Sequence, residues 1–419
     1  MKALILGKGV SGRGAATLLK SIGFSFDFYQ DGDPFPDLSV FDFAVKSPGF
    51  SINHKILRYL RAKKVPTLGE IELAFRFSRG KIVSVTGTNG KSTTTAIIHN
   101  SLKTNGYKTF IGGNFGVPFS EFALKTESDT ISVIELSSFQ IEDIRSYRSE
   151  VSVILNITPD HMNRYRNLKE YALAKIKLIK HSDVTVLNRD DKLLKGLKGE
   201  NLLFFSRKEK ADVYIKNGSI VVNVRGKSEI PVGELPLKGV HNLENYMAAA
   251  AVLSLLGLTE EEIVKGFKSF KGLPHRTEPV ETVNGVRFIN DSKSTNPDSM
   301  KKALESFERV ILIAGGSDKG LDFSHLKELF KERVKAAVFI GETGELLTET
   351  FKETTLTVRA DSMEEAVRKA FELSEKGDTV LLSPGCASFD MFKNFEERGE
   401  AFKQAVLKLK RDLEEKVED

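Results

Sequence analysis

The stretch VTGTNGKSTTT, residues 85–95, follows the apolar run of residues 81–84 and decides how the centre of the chain folds. A strand that leads through glycines into Lys-Ser is typical of a turn that holds nucleotide phosphates at a helix N-terminus. Two residues separate Gly87 from Gly90, whereas the general phosphate-binding loop has four between its glycines. The local chemistry is unchanged by this difference, because the glycines permit close backbone approach and Lys91 supplies positive charge.

The overall composition limits the class of protein. A chain of 419 residues is too long for one ordinary hydrophobic core, so two or three domains are expected. A hydrophobic fraction of 40% and a charged fraction of 28% are typical of globular proteins. The single cysteine, Cys386, excludes a disulfide scaffold, fits a reducing cytoplasm and is most simply a small buried residue.

The N-terminus and the charge distribution exclude further classes. The start MKALILGKG turns into glycines at once, so we expect a first strand and no signal peptide. No run approaches the roughly 18 apolar residues of a membrane helix, so no membrane partner is expected. The net charge is +5, but the lysines are interleaved with glutamates, which predicts local anion sites and no nucleic-acid groove.

Alternating strand and helix patterns predict three α/β domains in series. Residues 1–67 contain a strand, a glycine turn, a helix and further strands, which indicates a small Rossmann-like domain. Residues 68–272 begin with the helical pattern GEIELAFRF and predict a mostly parallel sheet of the P-loop ATPase type. The Asn-Gly pair in VYIKNGSIVVNV predicts a hairpin within that domain. Residues 273–419 contain three strand-to-turn stretches separated by helices, which predicts a second Rossmann-like domain.

The first glycine cluster, GKGVSG at residues 7–12, fits the dinucleotide fingerprint, and Asp31 lies about 20 residues further on. Its glycines would let the backbone approach a pyrophosphate at a helix N-terminus. The same pattern also occurs as a simple strand-to-helix connector. The motif indicates a diphosphate more strongly than it indicates NAD.

Polar residues follow two apolar runs of the central segment, where ligand sites of open parallel sheets gather. Glu135 ends the run in VIELSSFQ, and Asp160 and His161 follow the run in NITPDHMNRY. A glutamate there suits Mg²⁺ bound to phosphates, since hard cations take oxygen ligands. A lone histidine in a loop is more often structural or exposed, so both interpretations of His161 stay open.

The helical pattern NLKEYALAKIKLIK places a lysine on an apolar stripe. At about 100° per residue, Tyr171, Ala172 and Leu178 share a face with Lys175, whereas Lys177 falls opposite. Such a lysine either extends its ammonium to the edge or has a chemical purpose. Desolvation favours the neutral amine, which can react with CO₂ to give a carbamate, a carboxylate mimic able to approach Mg²⁺.

Taken together, these motifs resemble the Mur ligase family over essentially the whole chain. The short loop GTNGKST is similar to that family's own form of the phosphate loop. The motifs IELSSFQ, DHMNRY, NDSKSTNP and LSPGCASFDMFKNFEERG resemble the branch that adds D-glutamate to UDP-N-acetylmuramoyl-L-alanine. The resemblance implies ATP and Mg²⁺ as cofactors, an acyl phosphate, a tetrahedral intermediate, and release of ADP and phosphate.

The resemblance also implies roles for individual residues. Catalytic roles fall on Lys91, His161, Lys175 and Lys319, and Mg²⁺ ligation falls on Ser92, Glu135, His161 and a carbamylated Lys175. The implied ATP contacts are Gly87, Thr88, Asn89, Gly90, Lys91, Ser92, Thr93, Asn242, Asn245, Arg276 and Asp291. The implied substrate contacts are Val10, Ser11, Asp31, Gly49, Asn114, Ser137, His161, Lys293, Thr295, Lys319, Ser388 and Phe395. Around Asp31 the chain reads YQDGD, where the family pattern has a Thr-Arg pair after the aspartate.

Three alternatives compete with this interpretation. Folylpolyglutamate synthase shares the chemistry, but it lacks a leading domain such as residues 1–67. A nicotinamide-dependent oxidoreductase built on residues 7–12 leaves Glu135, His161 and Lys175 unexplained. A P-loop switch or DNA-handling protein is disfavoured by the scattered charge. We expect a monomer whose domains close on ligand binding, and the strictness of its amino-acid selectivity stays open.

Overall fold

The structure is a computed structural model that describes residues 1–50, 53–162, 164–318 and 320–418. The chain divides into two compact units, Met1–Lys271 and Gly272–Asp419. The α/β class with mostly parallel sheets is as predicted. Within the described ranges, no helix is both long enough and apolar enough to cross a bilayer.

The first unit opens with a four-stranded parallel sheet in the order β2-β1-β3-β4. Apolar clusters cover both of its faces, as expected for a parallel sheet. The boundary predicted after residue 67 falls inside the last strand, which pairs with β3 through Leu68 and Val45. The elements are β1 Lys2–Leu6, α1 Val10–Ser21, β2 Ser25–Tyr29, β3 Phe43–Lys46, α2 Lys55–Ala62, β4 Thr67–Gly69 and α3 Glu70–Phe75.

The same unit continues into a nine-stranded sheet in the order β13-β12-β11-β10-β9-β8-β5-β7-β6. Its strands are β5 Lys81–Thr86, β6 Thr109–Gly113, β7 Ile131–Glu135, β8 Ser149–Ile154, β9 Ser182–Asn188, β10 Leu202–Ser206, β11 Val213–Lys216, β12 Ser219–Asn223 and β13 Lys227–Pro231. Strands β5 to β11 pair in parallel, whereas β11, β12 and β13 are antiparallel. The predicted hairpin is confirmed, with positive φ at Asn217 and Gly218 between β11 and β12.

The helices of this sheet are α4 Lys91–Thr104, α5 Phe119–Phe122, α6 Ser138–Glu142, α7 Leu168–Ile176, α8 Val240–Leu255 and α9 Glu260–Ser269. Helix α9 was not predicted, although Thr259 and Glu262 form a capping box at its start. Lys177, predicted on the face opposite the apolar stripe, is half-buried, and its Nζ donates to the carbonyls of Glu142 and Ile144 at 2.8 Å. Helix α7 ends at Ile176 and a tighter 3₁₀ turn, Lys177–His181, follows, so the 100° spacing no longer holds.

The second unit is a six-stranded sheet in the order β14-β15-β19-β16-β17-β18, with an apolar cluster on each face. Its strands are β14 Glu278–Val283, β15 Val286–Asn290, β16 Val310–Gly315, β17 Val334–Ile340, β18 Leu356–Arg359 and β19 Thr379–Leu382. Its helices are α10 Pro297–Glu305, α11 Lys327–Arg333, α12 Gly344–Phe351, α13 Met363–Glu372 and α14 Phe395–Glu418. The hairpin β14–β15 is antiparallel and the other pairs are parallel.

Strand order in the nine-stranded sheet determines where a site can form. Strand β5 lies between β7 and β8, and these strands end at Thr86, Glu135 and Ile154. Because parallel strands end at the same edge, the loops that follow are neighbours. The phosphate-loop sequence, Glu135 and the His161 loop therefore meet at one edge of this sheet.

Candidate functional site

The phosphate loop connects β5 to α4 through two glycines in the left-handed or extended positive-φ region. Gly87 has φ +154° and Gly90 has φ +83°. A Cβ at Gly90 would collide with Asn245 Oδ1, so glycine is required there by both conformation and space. Gly90 is also the N-cap of α4, a helix whose first-turn N–H groups form an anion-binding end.

Asparagine and threonine side chains fix the loop in place. The backbone N–H of Asn89 donates to Asn156 Oδ1 at 2.9 Å, and Asn156 Nδ2 donates back to the Asn89 carbonyl at 3.1 Å. Thr88 Oγ1 donates to the Thr158 carbonyl at 3.1 Å. These contacts tie the loop to the segment after β8.

Two lysine ammonium groups converge on one carbonyl of the loop. Lys91 Nζ donates to the Gly87 carbonyl at 3.0 Å and to the Thr88 carbonyl at 2.9 Å. Lys175 Nζ donates to the same Gly87 carbonyl at 2.9 Å and lies 4.7 Å from the centroid of the Tyr171 ring. The ammonium of Lys91 beside a glycine loop suits a polyanionic ligand.

Lys175 is buried, with 1% of its surface exposed. The prediction that it lies on the buried stripe is confirmed, and the alternative that its ammonium extends to solvent is wrong. Burial, followed by the charge of Lys91, holds the pKa of Lys175 well below its usual value. The fold therefore favours the neutral amine at this position.

Glu135 is a buried carboxylate at the end of β7, with 2% of its surface exposed. Its Oε1 accepts a hydrogen bond from Asn114 Nδ2 at 2.7 Å. Its Oε2 has no hydrogen-bond partner within the part of the chain that the structure describes. A buried carboxylate oxygen left in this state is a natural position for a cation ligand.

His161 lies half-exposed above the same edge of the sheet, with a positive φ of +56°. Its ring centroid is 4.8 Å from that of Phe139. Burial lowers the pKa of His161, Asp160 opposes that shift, and the charges of Lys175 and Lys91 add to it. The imidazole is therefore held in its neutral form, in which a ring nitrogen can accept a proton or bind a cation.

The predicted residues Ser137, Asn242 and Asn245 have visible structural partners. The hydroxyl of Ser137 caps α6 by accepting from the N–H of Gln140 at 3.3 Å. Asn245 is 4% exposed, its Oδ1 accepts from Thr94 at 3.2 Å, and its Nδ2 donates to Asn242 Oδ1 at 3.4 Å. Asn245 thus lies against Gly90 and the start of α4, and Asn242 contacts Asn245.

A cleft of ≈ 440 Å³ opens at the first sheet and contains all four residues predicted there, Val10, Ser11, Asp31 and Gly49. Sequence reasoning missed His54, the N-cap of α2. The N–H of Ile56 donates to His54 Nδ1 at 3.2 Å, so the other ring nitrogen, Nε2, donates to Asp31 Oδ1 at 3.0 Å. The full lining is Gly7, Lys8, Gly9, Val10, Ser11, Gln30, Asp31, Ser47, Pro48, Gly49, Phe50 and His54.

The second unit brings several of its predicted residues together. Lys293 Nζ lies 3.7 Å from the centroid of the Phe395 ring, a cation–π contact. Asp291 is 7% exposed and accepts from the N–H of Thr277 and the hydroxyl of Ser383, and burial raises its pKa to about 6. The charge of Arg276 acts on Asp291 in the opposite sense.

Arg398 is a further buried residue of this unit that sequence reasoning missed. Its Nε donates to Ser292 Oγ at 3.0 Å, and its Nη1 donates to the Cys386 carbonyl at 3.0 Å. It therefore holds the loop of Asp291, Lys293 and Thr295 against the loop of Ser388. Ser388 is 2% exposed, Thr295 is half-buried, and Lys319 lies outside the described residues.

Metal binding has a limited set of donors in this structure. Over residues 1–50, 53–162, 164–318 and 320–418, no group of three or more His, Cys, Asp and Glu side chains is arranged to hold a metal ion. Ser92 is 6% exposed at the start of α4, next to the loop. A cation at Glu135 would therefore need further oxygen ligands from phosphates or from a modified side chain.

The fold and these sites define an α/β protein with a glycine-lysine loop of a shape and charge that suit a nucleotide's phosphates, and with a second glycine-lined cleft. Residues 85–253 match the Mur ligase middle domain, and residues 275–386 match the Mur ligase glutamate ligase domain. The chain is 41% identical to the UDP-N-acetylmuramoylalanine--D-glutamate ligase of Thermoanaerobacter sp. strain X514, covering 94% of this chain and 89% of that protein. The protein of the same name from Pelotomaculum thermopropionicum is 40% identical, with 98% of each covered.

A solved structure gives the same fold at lower identity. The UDP-N-acetylmuramate-alanine ligase of Thermotoga maritima superposes with a TM-score of 0.66 at 19% identity, covering 98% of this chain and 100% of that one. The chain belongs to the Mur ligase family, in the branch of the UDP-N-acetylmuramoylalanine--D-glutamate ligases.

Proposed function

We propose that the protein joins D-glutamate to UDP-N-acetylmuramoyl-L-alanine in peptidoglycan precursor synthesis, with conversion of ATP to ADP and phosphate. The names of its relatives support the reaction. The observation that carries the chemistry is the convergence of Lys91 and Lys175 on the Gly87 carbonyl, beside buried Glu135. The arrangement suits the terminal phosphates of ATP and the charge that develops during phosphoryl transfer.

The reaction requires activation of a carboxylate, which is a poor acyl donor. An oxygen of the alanyl carboxylate attacks the γ-phosphorus of ATP, the bond to the β-phosphate oxygen breaks, and ADP leaves. The amine of D-glutamate then attacks the acyl carbon of the resulting acyl phosphate. The tetrahedral intermediate loses a proton and expels phosphate to give the amide. We propose that Lys91 contacts the transferred phosphoryl group, where its charge offsets the negative charge of the transition state.

Magnesium is proposed at the strand-end carboxylate. The partnerless Oε2 of Glu135 fits a cation ligand, and Ser92, the residue after Lys91, offers a hydroxyl. A bound Mg²⁺ would act as a Lewis acid on phosphoryl oxygens. His161 and a carbamylated Lys175 are proposed to serve a second Mg²⁺.

Carbamylation of Lys175 is proposed because the fold favours its neutral amine. The Nζ lone pair attacks the carbon of CO₂, the N–C bond forms, and a proton passes to water. The product is an anion in place of a buried neutral amine, beside the ammonium of Lys91. The carbamate and the Lys91 ammonium then attract each other.

The UDP end of the acyl substrate is proposed to lie in the first cleft. The N-terminus of α1 at Val10 and Ser11 suits the diphosphate, and Asp31 suits a hydroxyl or N–H of the uridine. Asn114, held by Glu135, is proposed to contact the acyl part, together with Ser137 and His161.

The remaining contacts are proposed from the positions of this sequence that match the family's motifs. D-Glutamate is assigned to the second unit, where Lys293 and the hydroxyl groups could pair with its carboxylates. The proposed contacts there are Lys293, Thr295, Lys319, Ser388 and Phe395. The adenine nucleotide is proposed to contact Asn242, Asn245, Arg276 and Asp291, besides the loop residues Gly87, Thr88, Asn89, Gly90, Lys91, Ser92 and Thr93. A monomer in the cytoplasm that binds no nucleic acid stays a prediction.

The test is ADP release from the purified protein with Mg·ATP and UDP-N-acetylmuramoyl-L-alanine, adding one amino acid at a time. Turnover that depends on D-glutamate is expected. Turnover with a different amino acid would keep the chemistry and overturn the amino-acid assignment. No turnover with any amino acid would contradict the proposed acyl substrate, and folate-type acceptors would then be tested.

A further inference from the structure

Arg164 joins the loop that lines the substrate cleft to the loop that carries His161. Its Nη1 donates to the Pro48 carbonyl at 2.9 Å, and Pro48 lines the cleft beside Gly49. Its backbone N–H donates to the His161 carbonyl at 2.9 Å. One residue thus contacts both loops, although Pro48 follows a strand of the first sheet and His161 follows a strand of the second.

The guanidinium of Arg164 is fixed on several sides. Its Nη2 donates to Glu142 Oε2 at 2.7 Å, and each of these side chains is 13% exposed. The group lies 3.9 Å from the centroid of the Phe139 ring, and the same ring lies 4.8 Å from the His161 ring. A planar cation held by a carboxylate, a carbonyl and a ring has little freedom to move independently of them.

The cleft loop is attached to the same helix end at a second point. Lys46 is 2% exposed, and its Nζ donates to the Phe50 carbonyl at 2.9 Å and pairs with Asp143 Oδ2 at 2.8 Å. Asp143 directly follows Glu142, the last residue of α6. The segment around Pro48 is therefore held both by the residue that follows α6 and by Arg164.

The conformation of His161 depends on these contacts. Its φ of +56° costs a non-glycine residue about 1–3 kcal/mol, which the surroundings must offset. The His161 carbonyl accepts from the N–H of Arg164 and, at 3.2 Å, from the N–H of Tyr165. Tyr165 is itself held by a hydrogen bond of its hydroxyl to Glu142 Oε1 at 2.5 Å.

We infer that Arg164 is a positioning residue that transmits occupancy of the substrate cleft to the His161 loop. Binding of a uridine diphosphate sugar in the cleft would fix the Pro48 segment, and through Arg164 it would fix His161 for a nucleotide on the phosphate loop. The inference rests on the proposed function, which supplies both ligands. It predicts that a ligand in the cleft tightens nucleotide binding without touching the nucleotide.

The test is calorimetric affinity for the magnesium complex of a non-hydrolysable ATP analogue, with and without saturating UDP-N-acetylglucosamine. This probe carries the uridine diphosphate and the sugar but no carboxylate that could reach the nucleotide. In the unmodified protein we expect the probe to tighten the analogue's affinity about fivefold or more. In Arg164→Ala and Arg164→Lys the gain should fall below about twofold, since lysine cannot reproduce the forked contact.

Arg148→Ala is the matched control, because Arg148 is an exposed arginine of the same unit that pairs with Asp183 at 2.9 Å. It should keep the full gain. The inference is overturned if the unmodified protein shows no gain, or if Arg164→Ala and Arg164→Lys keep it. Should Arg164→Ala fail to fold, the same gain in affinity is measured in Arg164→Lys and Glu142→Gln, and a full gain in both overturns the inference. Failure of the probe to bind would overturn both the cleft assignment and this inference, whereas D-glutamate-dependent ADP release reports on the ligase reaction separately.

Discussion

The two glycine turns of the first unit differ in the backbone conformation of their N-cap glycines, which is extended at Gly9 and left-handed at Gly90. One leads from β1 to α1 and the other from β5 to α4, each with a glycine as helix N-cap. Around Gly90 the neighbouring elements bring the buried side chains of Lys175 and Glu135. Around Gly9 they bring Asp31 and His54, of which the Asp31 side chain is 73% exposed. We propose that both turns bind phosphates, and that the side chains brought by other elements decide whether chemistry follows.

The comparison also concerns stability, because an ionisable amine, that of Lys175, is buried beside the turn between β5 and α4. A buried ammonium without an opposing charge is destabilising, whereas an exposed Asp–His pair is nearly neutral for stability. The proposed chemistry therefore lowers the stability of the folded protein at the turn between β5 and α4, and hardly affects it at the turn between β1 and α1. The predictions below test this contrast, beginning with the largest expected effect.

Replacing Lys175 with alanine should abolish ligation, with a loss of kcat on the order of 10³-fold or more. The reason is that the proposed carbamate is a ligand at the reacting phosphates, and alanine cannot form it. The measurement is D-glutamate-dependent ADP release, with and without added formate or acetate. Partial rescue by these small carboxylates is expected.

Lys169→Ala is the control for this replacement, because Lys169 is exposed on the same helix, α7. It should leave the rate within about twofold of the unmodified protein, as is usual for an exposed surface change. Full activity of Lys175→Ala without any added carboxylate would remove Lys175 from the reaction.

Replacing each N-cap glycine with alanine should lower the free energy of unfolding by different amounts at the two turns. Gly90→Ala places a Cβ against Asn245 Oδ1 at φ +83°, so we expect a loss of roughly 2–3 kcal/mol in the free energy of unfolding. Gly9 has φ −70° and open space around a Cβ, so Gly9→Ala should change stability by no more than about 0.5 kcal/mol. Urea unfolding of the two variants gives both values, and equal losses would contradict the contrast.

The phosphate-loop turn was largely predictable from sequence, because its determinants are local. Strand pattern, glycines and Lys91 lie within about ten residues, and Lys175 stands out on its own helix by periodicity. The capping box of α9 was equally local and could have been used. These signals need no knowledge of which strands are neighbours.

The first cleft was less predictable, because its contacts depend on tertiary structure. His54 meets Asp31 only after β2 and the N-terminus of α2 come together across the sheet, and no local pattern reports that distance. The same holds for Arg164 with Pro48, 116 residues apart, and for Arg398 with Ser292, 106 residues apart. Strand β4 was not predicted from sequence, because its three residues are too few to show an alternating pattern.

The burial of Lys175 should appear as a pH-dependent difference in the free energy of unfolding between the unmodified protein and Lys175→Met. Burial depresses the pKa of Lys175 in the folded protein, so between that pKa and the usual 10.5 the unfolded chain binds the extra proton. Stability of the unmodified protein therefore rises with pH through this window. We expect Lys175→Met to be more stable at neutral pH by about 1–2 kcal/mol, with the gap closing as the pH approaches 10.5.

This measurement is urea unfolding in CO₂-free buffer at several pH values, so that carbamylation does not contribute. Lys169→Met is the control and should show no gap at any pH, because its ammonium is solvated in both states. A constant gap for Lys175→Met across the window would mean that packing, and not charge, separates the two proteins.

Substitutions beside the first turn, between β1 and α1, should change only the affinity for the acyl substrate. Asp31→Asn leaves a weaker acceptor in the cleft, and His54→Ala removes the group that orients Asp31 at 3.0 Å, so each should raise KM for UDP-N-acetylmuramoyl-L-alanine about tenfold. With UDP-N-acetylmuramoyl-L-alanine at saturation, we expect kcat and KM for ATP to stay unchanged, because the cleft is then occupied and no contact of the phosphate loop is touched. Steady-state kinetics with each substrate varied in turn separates the constants, with the surface variant Arg148→Ala as control. A fall in kcat for Asp31→Asn would mean that the first turn acts on the chemical step, and the contrast between the two turns would fail.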